Sequence, residues 1–338
     1  MDYKYQSLNS DVSSIDISKL KQQYKIKTYN GWQIYIMLTL IASIIPIIVL
    51  IVAGFLNAQS VAIVIGSLVV GALVVILMAW SYSVSLKKEW TQKVRLNRFV
   101  NDNLLRFIPE IKNPNHAGMI FNIGYDRSAS SVIKGKTDEF EIANYSYSVG
   151  SGDRKKTYDY GYVMIKLDRN LPNIVLDSVK NNVSIFGLDI SNLPVTFSSD
   201  QILSLEGDFD SHYKLYAPKE YERDALYIFT PDLMELFIDE TGDFDAEIVD
   251  DKIYIYSKTI FQLDNELVLR RLFKIIDIIG KKAKRQTDNY VDSLVHDKLS
   301  NIVSDSGRRL NRGISWVSIV ISAVTIVYAI VTVWGRLH

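Results

Sequence analysis

The side chains best suited to chemistry in this chain are carboxylates, and they are densest in an acidic run at positions 206–210, EGDFD. Alternating carboxylates supply the oxygen ligands that hard cations prefer, and Asp208 and Asp210 are also the strongest candidates for acid–base chemistry. Their spacing differs from that of an EF-hand loop, and acidic residues beside turns are usually solvated. The pattern therefore predicts no metal site, no cofactor and no assigned catalytic residue. Further carboxylates follow downstream at Asp243, Asp245, Asp250 and Asp251.

The motifs of the common enzyme classes are absent from the sequence. The four histidines are scattered without an HExxH pattern, and there is no GxSxG elbow, P-loop, GxGxxG or kinase motif. Because the chain contains no cysteine, a cysteine nucleophile, a disulfide and a thiolate metal site are excluded. We leave enzymatic activity open and regard a non-enzymatic role as the stronger hypothesis.

Two basic groups are candidates for contact with anionic lipid or with a partner. Around the first group, Ile17, Leu20 and Tyr24 recur at helical spacing, which indicates either a basic amphipathic helix on the inner leaflet or a disordered tail. We favour the tail. The second group interrupts a helical pattern near Gly280, where a solvated helix face is the favoured interpretation. The two groups are Lys19, Lys21, Lys25 and Lys27, and Lys281, Lys282, Lys284 and Arg285.

Three long apolar runs determine where these groups can lie. Residues 32–56, 61–86 and 314–333 contain no charged side chain, and each is long enough to cross a hydrocarbon core about 30 Å thick. The first two runs are separated by only four polar residues, so they predict a transmembrane helical hairpin. Small residues recur along the second run, which permits close packing within the hairpin or in a homo-oligomer. Because the runs lack ionisable residues, a channel or transporter is the least favoured function.

Lysine and arginine lie at one end of each run, which sets the predicted orientation. They precede the first run, follow the second at positions 87–98, and precede the third as Arg308, Arg309 and Arg312. Since cytoplasmic flanks carry the excess of basic residues, the N-terminus and the central region are predicted inside and the C-terminus outside. The predicted location is the inner (cytoplasmic) membrane, with the bilayer itself as one partner.

The central region alternates between strand and helix signals. Residues 140–149 follow the period of a strand, and strands are also predicted at 158–168, 173–176, 202–205, 213–216, 244–249 and 253–256. Thr230 and Pro231 predict a helix start. We predict an α+β fold with an antiparallel sheet flanked by helices. The predicted domains are a tail (1–31), a transmembrane hairpin (32–86), a cytosolic α+β domain with a helix at its start (87–263), a helical arm (264–313) and a third transmembrane helix (314–335).

One segment resembles a known family. The stretch 205–218, LEGDFDSHYKLYAP, followed by 224–234, DALYIFTPDLM, is similar to an uncharacterised domain of bacterial membrane proteins often encoded near LemA-type proteins. The resemblance covers about residues 203–256 and implies no known activity, so no functional residue is carried over from it.

These patterns favour a multi-pass membrane protein whose cytosolic domain is a binding or scaffold module. Lysine and arginine together number 38, and so do aspartate and glutamate, so no basic excess indicates a nucleic-acid partner. The expected partner is a protein or a second copy of the chain. An enzyme acting on a membrane-associated substrate is the alternative.

Overall fold

The computed structural model divides the chain into two compact units, and each is considered separately. One comprises Met1–Lys4 with Val100–His338, and the other comprises Tyr5–Phe99. Between them they contain every residue that the structure describes, namely 3–25, 44, 58–185, 188–205, 207–297, 300–313, 325–328 and 332. The predicted first and third spans therefore lie almost entirely outside the described residues.

The smaller unit is built on one long helix, α2, Ala58–Asp102, which has 45 residues and a length of about 67 Å. Its stretch Val69–Asp102 is long and apolar enough to cross a membrane, and no other helix of the described ranges meets that criterion. This helix contains the second predicted span. Between positions 69 and 80 most of its large apolar side chains are exposed, with Val75 buried, whereas further along Trp90, Val94 and Phe99 are buried.

Residues of the N-terminal segment cover the C-terminal part of α2. Helix α1, Ser14–Gln23, starts in a capping box in which Ser13 and Asp16 bond each other's backbone. Leu20 of α1 packs against Trp90 and Val94. The prediction of a disordered tail is therefore wrong for residues 3–25, because the apolar side of α1 is covered by α2 rather than left in water.

The larger unit contains an antiparallel sheet of seven strands, which confirms the α+β prediction. The strand order is β1-β2-β3-β4-β8-β7, with β9 paired to β4, and β5 and β6 form a separate hairpin. The strands are β1 Arg106–Lys112, β2 Tyr125–Lys134, β3 Phe140–Val149, β4 Lys156–Ser178, β5 Val183–Ile185, β6 Leu188–Ile190, β7 Ile202–Leu203, β8 Tyr213–Tyr216 and β9 Asp245–Ser257.

Strands β4 and β9 differ most from the prediction. Each was predicted as two short strands, but the structure shows one strand of 23 residues and one of 13 that pair along most of their lengths. The register shifts between Lys166 and Ile174, and Asp250 opposite has a φ of 54°. The break predicted at positions 250–251 is thus an irregularity inside a continuous strand, not a turn between strands.

In the larger unit, the described residues between 209 and 308 contain five α-helices. Thr230 precedes Pro231 at the start of α5, as predicted, although no hydrogen bond from the Thr230 side chain caps the helix. Asn265 does cap α6, by accepting from the Leu267 N–H at 2.9 Å. The helices are α3 Phe209–His212, α4 Glu222–Ile228, α5 Pro231–Thr241, α6 Glu266–Thr287 and α7 Asp305–Arg308.

Two helical predictions extend too far. The helix predicted at the start of the α+β domain ends at Asp102, because Leu104 has a φ of 57° and the following residues form edge strand β1, where Pro109 donates to no neighbour. Within the helical arm predicted over 264–313, helix α6 ends at Thr287. There the Asp292 carboxylate accepts from the N–H groups of Leu294 and Ser304, both at 2.8 Å, and so stabilises turns instead.

The two faces of the sheet have different cores. One face carries stacked tyrosines and is covered by the loop between β1 and β2, in which Ile120 and Phe121 are fully buried. The other face packs against α6. At Gly280 a Cβ atom would lie only 3.1 Å from a methyl carbon of Ile165, so the glycine allows the helix to approach β4 closely.

Candidate functional site

The basic groups predicted to contact lipid or a partner are mostly paired within the protein. Lys281 lies 2.7 Å from Asp277, Lys282 lies 2.6 Å from Asp232, and Lys284 lies 3.5 Å from Asp168. Arg285 is exposed, with no ion pair among the described side chains. These residues form the polar side of α6, where surface ion pairs contribute little to stability.

The N-terminal lysines are divided between the surface and one aromatic contact. Lys19 and Lys25 are exposed, and Lys27 lies outside the described residues. The Lys21 ammonium lies 4.6 Å from the centroid of the Trp90 ring, and Lys93 lies 4.8 Å from the same ring. The Lys21 contact helps to hold α1 against α2, whereas the Lys93 contact lies within α2, and the exposed lysines stay available to an outside ligand.

The acidic run does not form a site with the carboxylates downstream. Glu206 lies outside the described residues, the Asp208 side chain is 82% exposed, and Asp210 accepts from the Leu205 N–H at 3.1 Å. Asp243 pairs with Arg271, and Asp251 pairs with Lys252. In the parts of the chain that the structure describes, no group of three or more His, Cys, Asp or Glu side chains could hold a metal ion.

The structure instead places a group of buried ionisable residues on the tyrosine-rich face of the sheet. Glu141 of β3 is fully buried, with His116 Nε2 3.0 Å from Oε1 and Lys134 Nζ 2.8 Å from Oε2. The Tyr162 hydroxyl also donates to Oε1. Burial opposes ionisation, but these partners outweigh it and lower the pKa of Glu141 to about 2.

Glu247 of β9 is buried beside this group with neutral partners. It accepts from the Met119 N–H at 2.6 Å, the Tyr256 hydroxyl at 2.8 Å and Asn173 Nδ2 at 3.2 Å. Burial raises its pKa to about 7, because these hydrogen bonds do not offset the loss of water. Glu247 therefore connects the covering loop to β9 and to Asn173 of β4.

A third arrangement is the acid pair, Asp177 of β4 and Asp245 of β9. Asp245 accepts from the Ser178 N–H at 2.9 Å and from Asn181 Nδ2 at 3.0 Å. Asp177 is fully buried, and neither of its carboxylate oxygens has a hydrogen-bond donor among the described residues. Burial raises the pKa of Asp177 to about 6 and that of Asp245 to about 7.

Two clefts lie on either side of Arg309, near the last described part of the larger unit. One has a volume of about 230 Å³ and is lined by Leu171, Ile302 and Val303 with charged residues at its rim. The other has a volume of about 310 Å³ and is more polar, with Gln201, Lys219 and Asp305 in its wall. Arg309 lines both clefts and is held by Asp250, with nitrogen–oxygen distances of 3.1 and 3.3 Å.

Sequence reasoning did not single out Glu141 or Asp177 as site residues, and it named Asp245 and Arg309 only within charge patterns. One signal was available, because Glu141 lies between the apolar residues Phe140 and Ile142, Asp177 follows the apolar run 174–176, and charged residues are rarely fully buried without partners. Which partners they meet depends on strand register, which the sequence pattern did not specify.

Comparison with known proteins gives no family. No family model matches the chain, and no curated protein matches it in sequence. Among solved structures, the mycobacterial trehalose monomycolate transport factor A, TtfA, is similar at 11% identity and a TM-score of 0.35. The similarity covers 55% of this chain and 93% of that one. At this level it carries no argument about function.

Proposed function

We propose that this protein is a multi-pass protein of the inner membrane whose α+β domain faces the cytoplasm and binds a protein partner through the two clefts beside Arg309. The three spans are the run at 61–86 within α2 and the runs at 32–56 and 314–333. Kinship with the LemA-associated domain family is part of the same proposal. The domain is a binding module, and the bilayer limits where its partner can meet it.

The change in environment along α2 carries the membrane part of this proposal. The exposed side chains between positions 69 and 80 include Val70, Leu77 and Trp80, with 60, 61 and 68% of their surface accessible. A continuous apolar surface of this length on a single helix is unfavourable in water and favourable in lipid. C-terminal to Leu86 the same helix becomes basic and packs against residues 5–24. This is the arrangement expected of a helix that leaves the bilayer.

The C-terminal segment of the larger unit supports the binding part. Leu310 donates its N–H to Asn173 at 3.0 Å, Asn311 and Gln201 exchange two hydrogen bonds of 2.9 Å, and the Gly313 N–H donates to the Thr196 carbonyl at 2.9 Å. The segment that lines both clefts is thus bound to the sheet up to residue 313. A span starting at 314 would keep a partner of these clefts close to the bilayer.

The topology can be tested because the native chain has no cysteine. Single substitutions Asn57→Cys, Ser151→Cys and His338→Cys would each be treated in intact cells with a thiol reagent that does not cross the membrane. Labelling is expected at 57 and 338, with labelling at 151 only after lysis. Labelling of position 151 in intact cells would overturn the proposed orientation.

Binding at the clefts can be tested with a photo-crosslinking amino acid placed in the full chain in native membranes. Position 306 lines the polar cleft, and Glu235 on the exposed side of α5 is a matched control position. A discrete cross-linked protein is expected from position 306 but not from 235, and Arg309→Glu should remove it. Equal patterns from the two positions would refute binding at the clefts.

A further inference from the structure

The acid pair is incomplete in a specific way. Asp177 is fully buried, yet both of its carboxylate oxygens lack a hydrogen-bond donor among the described residues, and the buried amide oxygen of Asn192 also lacks one. Buried acceptors are almost always paired, because an unmet acceptor keeps the full cost of its lost hydration. Three unsatisfied oxygens in one region require either donors or a cation.

Hydrogen bonds connect Asn192 to Asp245, and the register of β4 against β9, in which Leu176 lies opposite Ala246, places Asp245 beside Asp177. Asn192 donates through Nδ2 to Asn181 Oδ1 at 2.6 Å, and Asn181 donates through its own Nδ2 to Asp245 at 3.0 Å. The Asn192 N–H donates to Asn182 Oδ1 at 3.1 Å. The Ser191 hydroxyl and the Asn182 amide lower the pKa of Asp177 as weak hydrogen-bonding neighbours, but neither meets its carboxylate in full hydrogen-bond geometry. Polar side chains at Asn181, Asn182, Ser191 and Asn192 therefore surround the acid pair.

The nearby positive charges do not neutralise the pair. Lys214 and Lys258 attract the Asp177 carboxylate, but the Lys258 ammonium donates to the main-chain oxygen of Asn181 rather than to either carboxylate. Tyr160 and Tyr213 interact electrostatically with Asp245, and Tyr216 interacts with Asp177, but none of the three carries a positive charge. The raised pKa values of both aspartates show that their negative charge is under-compensated in this arrangement.

We propose that Asp177, Asp245 and the side-chain oxygen of Asn192 bind a hard divalent cation of the calcium type. The donor set consists of oxygen atoms alone, which suits Ca²⁺, and Ca²⁺ accepts irregular mixtures of carboxylate and amide oxygens. With two carboxylates the affinity is modest, because the affinity of such sites rises with the number of charged ligands. The bound cation repels the nearby Lys258 ammonium and links Asn192 to strands β4 and β9.

The first experiment measures binding of Ca²⁺ alone to the full chain in detergent, by titration calorimetry after removal of divalent ions. Asp177→Asn and Asp245→Asn should each weaken Ca²⁺ binding at least tenfold. Asp208→Asn, at an exposed carboxylate, is the matched control and should leave the affinity unchanged. The absence of a saturable heat from the wild-type chain, or equal affinity in Asp177→Asn, would overturn the proposal.

A second experiment uses Tb³⁺ as a luminescent substitute for Ca²⁺. Tyr216 interacts electrostatically with Asp177, so its ring lies near enough to transfer excitation to a bound lanthanide. Sensitised Tb³⁺ emission is expected from the wild type, and excess Ca²⁺ should abolish it by displacing Tb³⁺. Tyr216→Phe should reduce the emission but retain the heat of Ca²⁺ binding. Emission that survives in the Asp177→Asn, Asp245→Asn double variant would place the ion elsewhere and refute this site.

Circular dichroism of each variant verifies that it is folded, so that a loss of the Ca²⁺ heat in Asp177→Asn or Asp245→Asn reports on binding rather than on unfolding.

Discussion

Glu141 and Asp177 are both fully buried carboxylates on neighbouring strands of one sheet, yet their environments have opposite effects. Glu141 meets His116, Lys134 and Tyr162, and its pKa falls to about 2. For Asp177 burial outweighs the weaker effects of Ser191 and Asn182, and its pKa rises to about 6. Burial penalises ionisation in both, so the partners decide the sign of the shift.

The comparison also separates a structural role from a binding role. Glu141 joins β3 to β2 through Lys134, to β4 through Tyr162 and to the covering loop through His116. Its oxygens have partners inside the protein. The Asp177 oxygens have none among the described residues. A saturated buried charge stabilises the fold, whereas an unsaturated one favours a ligand.

The largest expected effect comes from breaking the saturated group. Glu141→Gln leaves Lys134 without its buried partner and should reduce the free energy of unfolding by about 3 kcal/mol. The urea midpoint of the full chain in detergent, followed by pulse proteolysis, measures this change. Glu139→Gln, two positions earlier and outside the buried group, is the control. A loss below about 1 kcal/mol would show that the group contributes little.

The pH dependence of unfolding should reveal both environments in one profile. Because the folded pKa of Glu141 is lowered from 4.5 to about 2, its stabilisation is complete above pH 4.5 and is lost as the pH falls towards 2, by about 3 kcal/mol. Asp177 works in the opposite direction, since its folded pKa exceeds its unfolded value. With a chelator present, stability should therefore rise on acidification from pH 8 to 5 and fall below pH 4.5. A monotonic profile would contradict the comparison.

Replacing the unsaturated carboxylate should stabilise the protein when no divalent cation is present. Asp177→Asn removes a charge that the fold disfavours above pH 6, so we expect a gain of about 2 kcal/mol at pH 8 in a chelator. Excess Ca²⁺ should reverse the order, because only the wild type gains binding energy. The urea midpoints of both proteins in the two conditions measure this. A destabilised variant in both conditions would indicate that Asp177 is already satisfied.

The smallest expected effect concerns the lysine beside the acid pair. Lys258→Met removes an attraction to Asp245 and Asp177 at a mostly solvated position, so the loss at pH 8 should stay below about 1 kcal/mol. The same change should strengthen Ca²⁺ binding, since the cation no longer competes with the ammonium. Titration calorimetry measures the Ca²⁺ affinity of the variant. Weaker binding by Lys258→Met would show that the lysine supports the cation site.

Local patterns predicted the elements whose neighbours in sequence are also their partners in space. The strand at 140–149 has the bounds that alternation indicated, and Thr230 with Pro231 begins a helix as expected. The patterns failed where a residue far away in sequence determined the backbone conformation. β9 continues through Asp250 because β4 runs beside both of its halves, and α6 ends early because Asp292 bonds Ser304 instead of leaving it to a helix. Strand β2 was missed because its burial is irregular.

The sequence by itself determined the class of the fold, the apolar length of α2 and the charge at its ends, because each follows from periodicity and composition along a continuous stretch. Only the tertiary structure decided that residues 5–24 pack on α2, and that Glu141 is paired while Asp177 is not. The sequence around a strand carboxylate does not distinguish a paired side chain from an unpaired one, because it does not specify which side chains lie opposite on the neighbouring strands. The register of β4 against β9 brings Asp177 and Asp245 together, and that register gives the chain its candidate cation site.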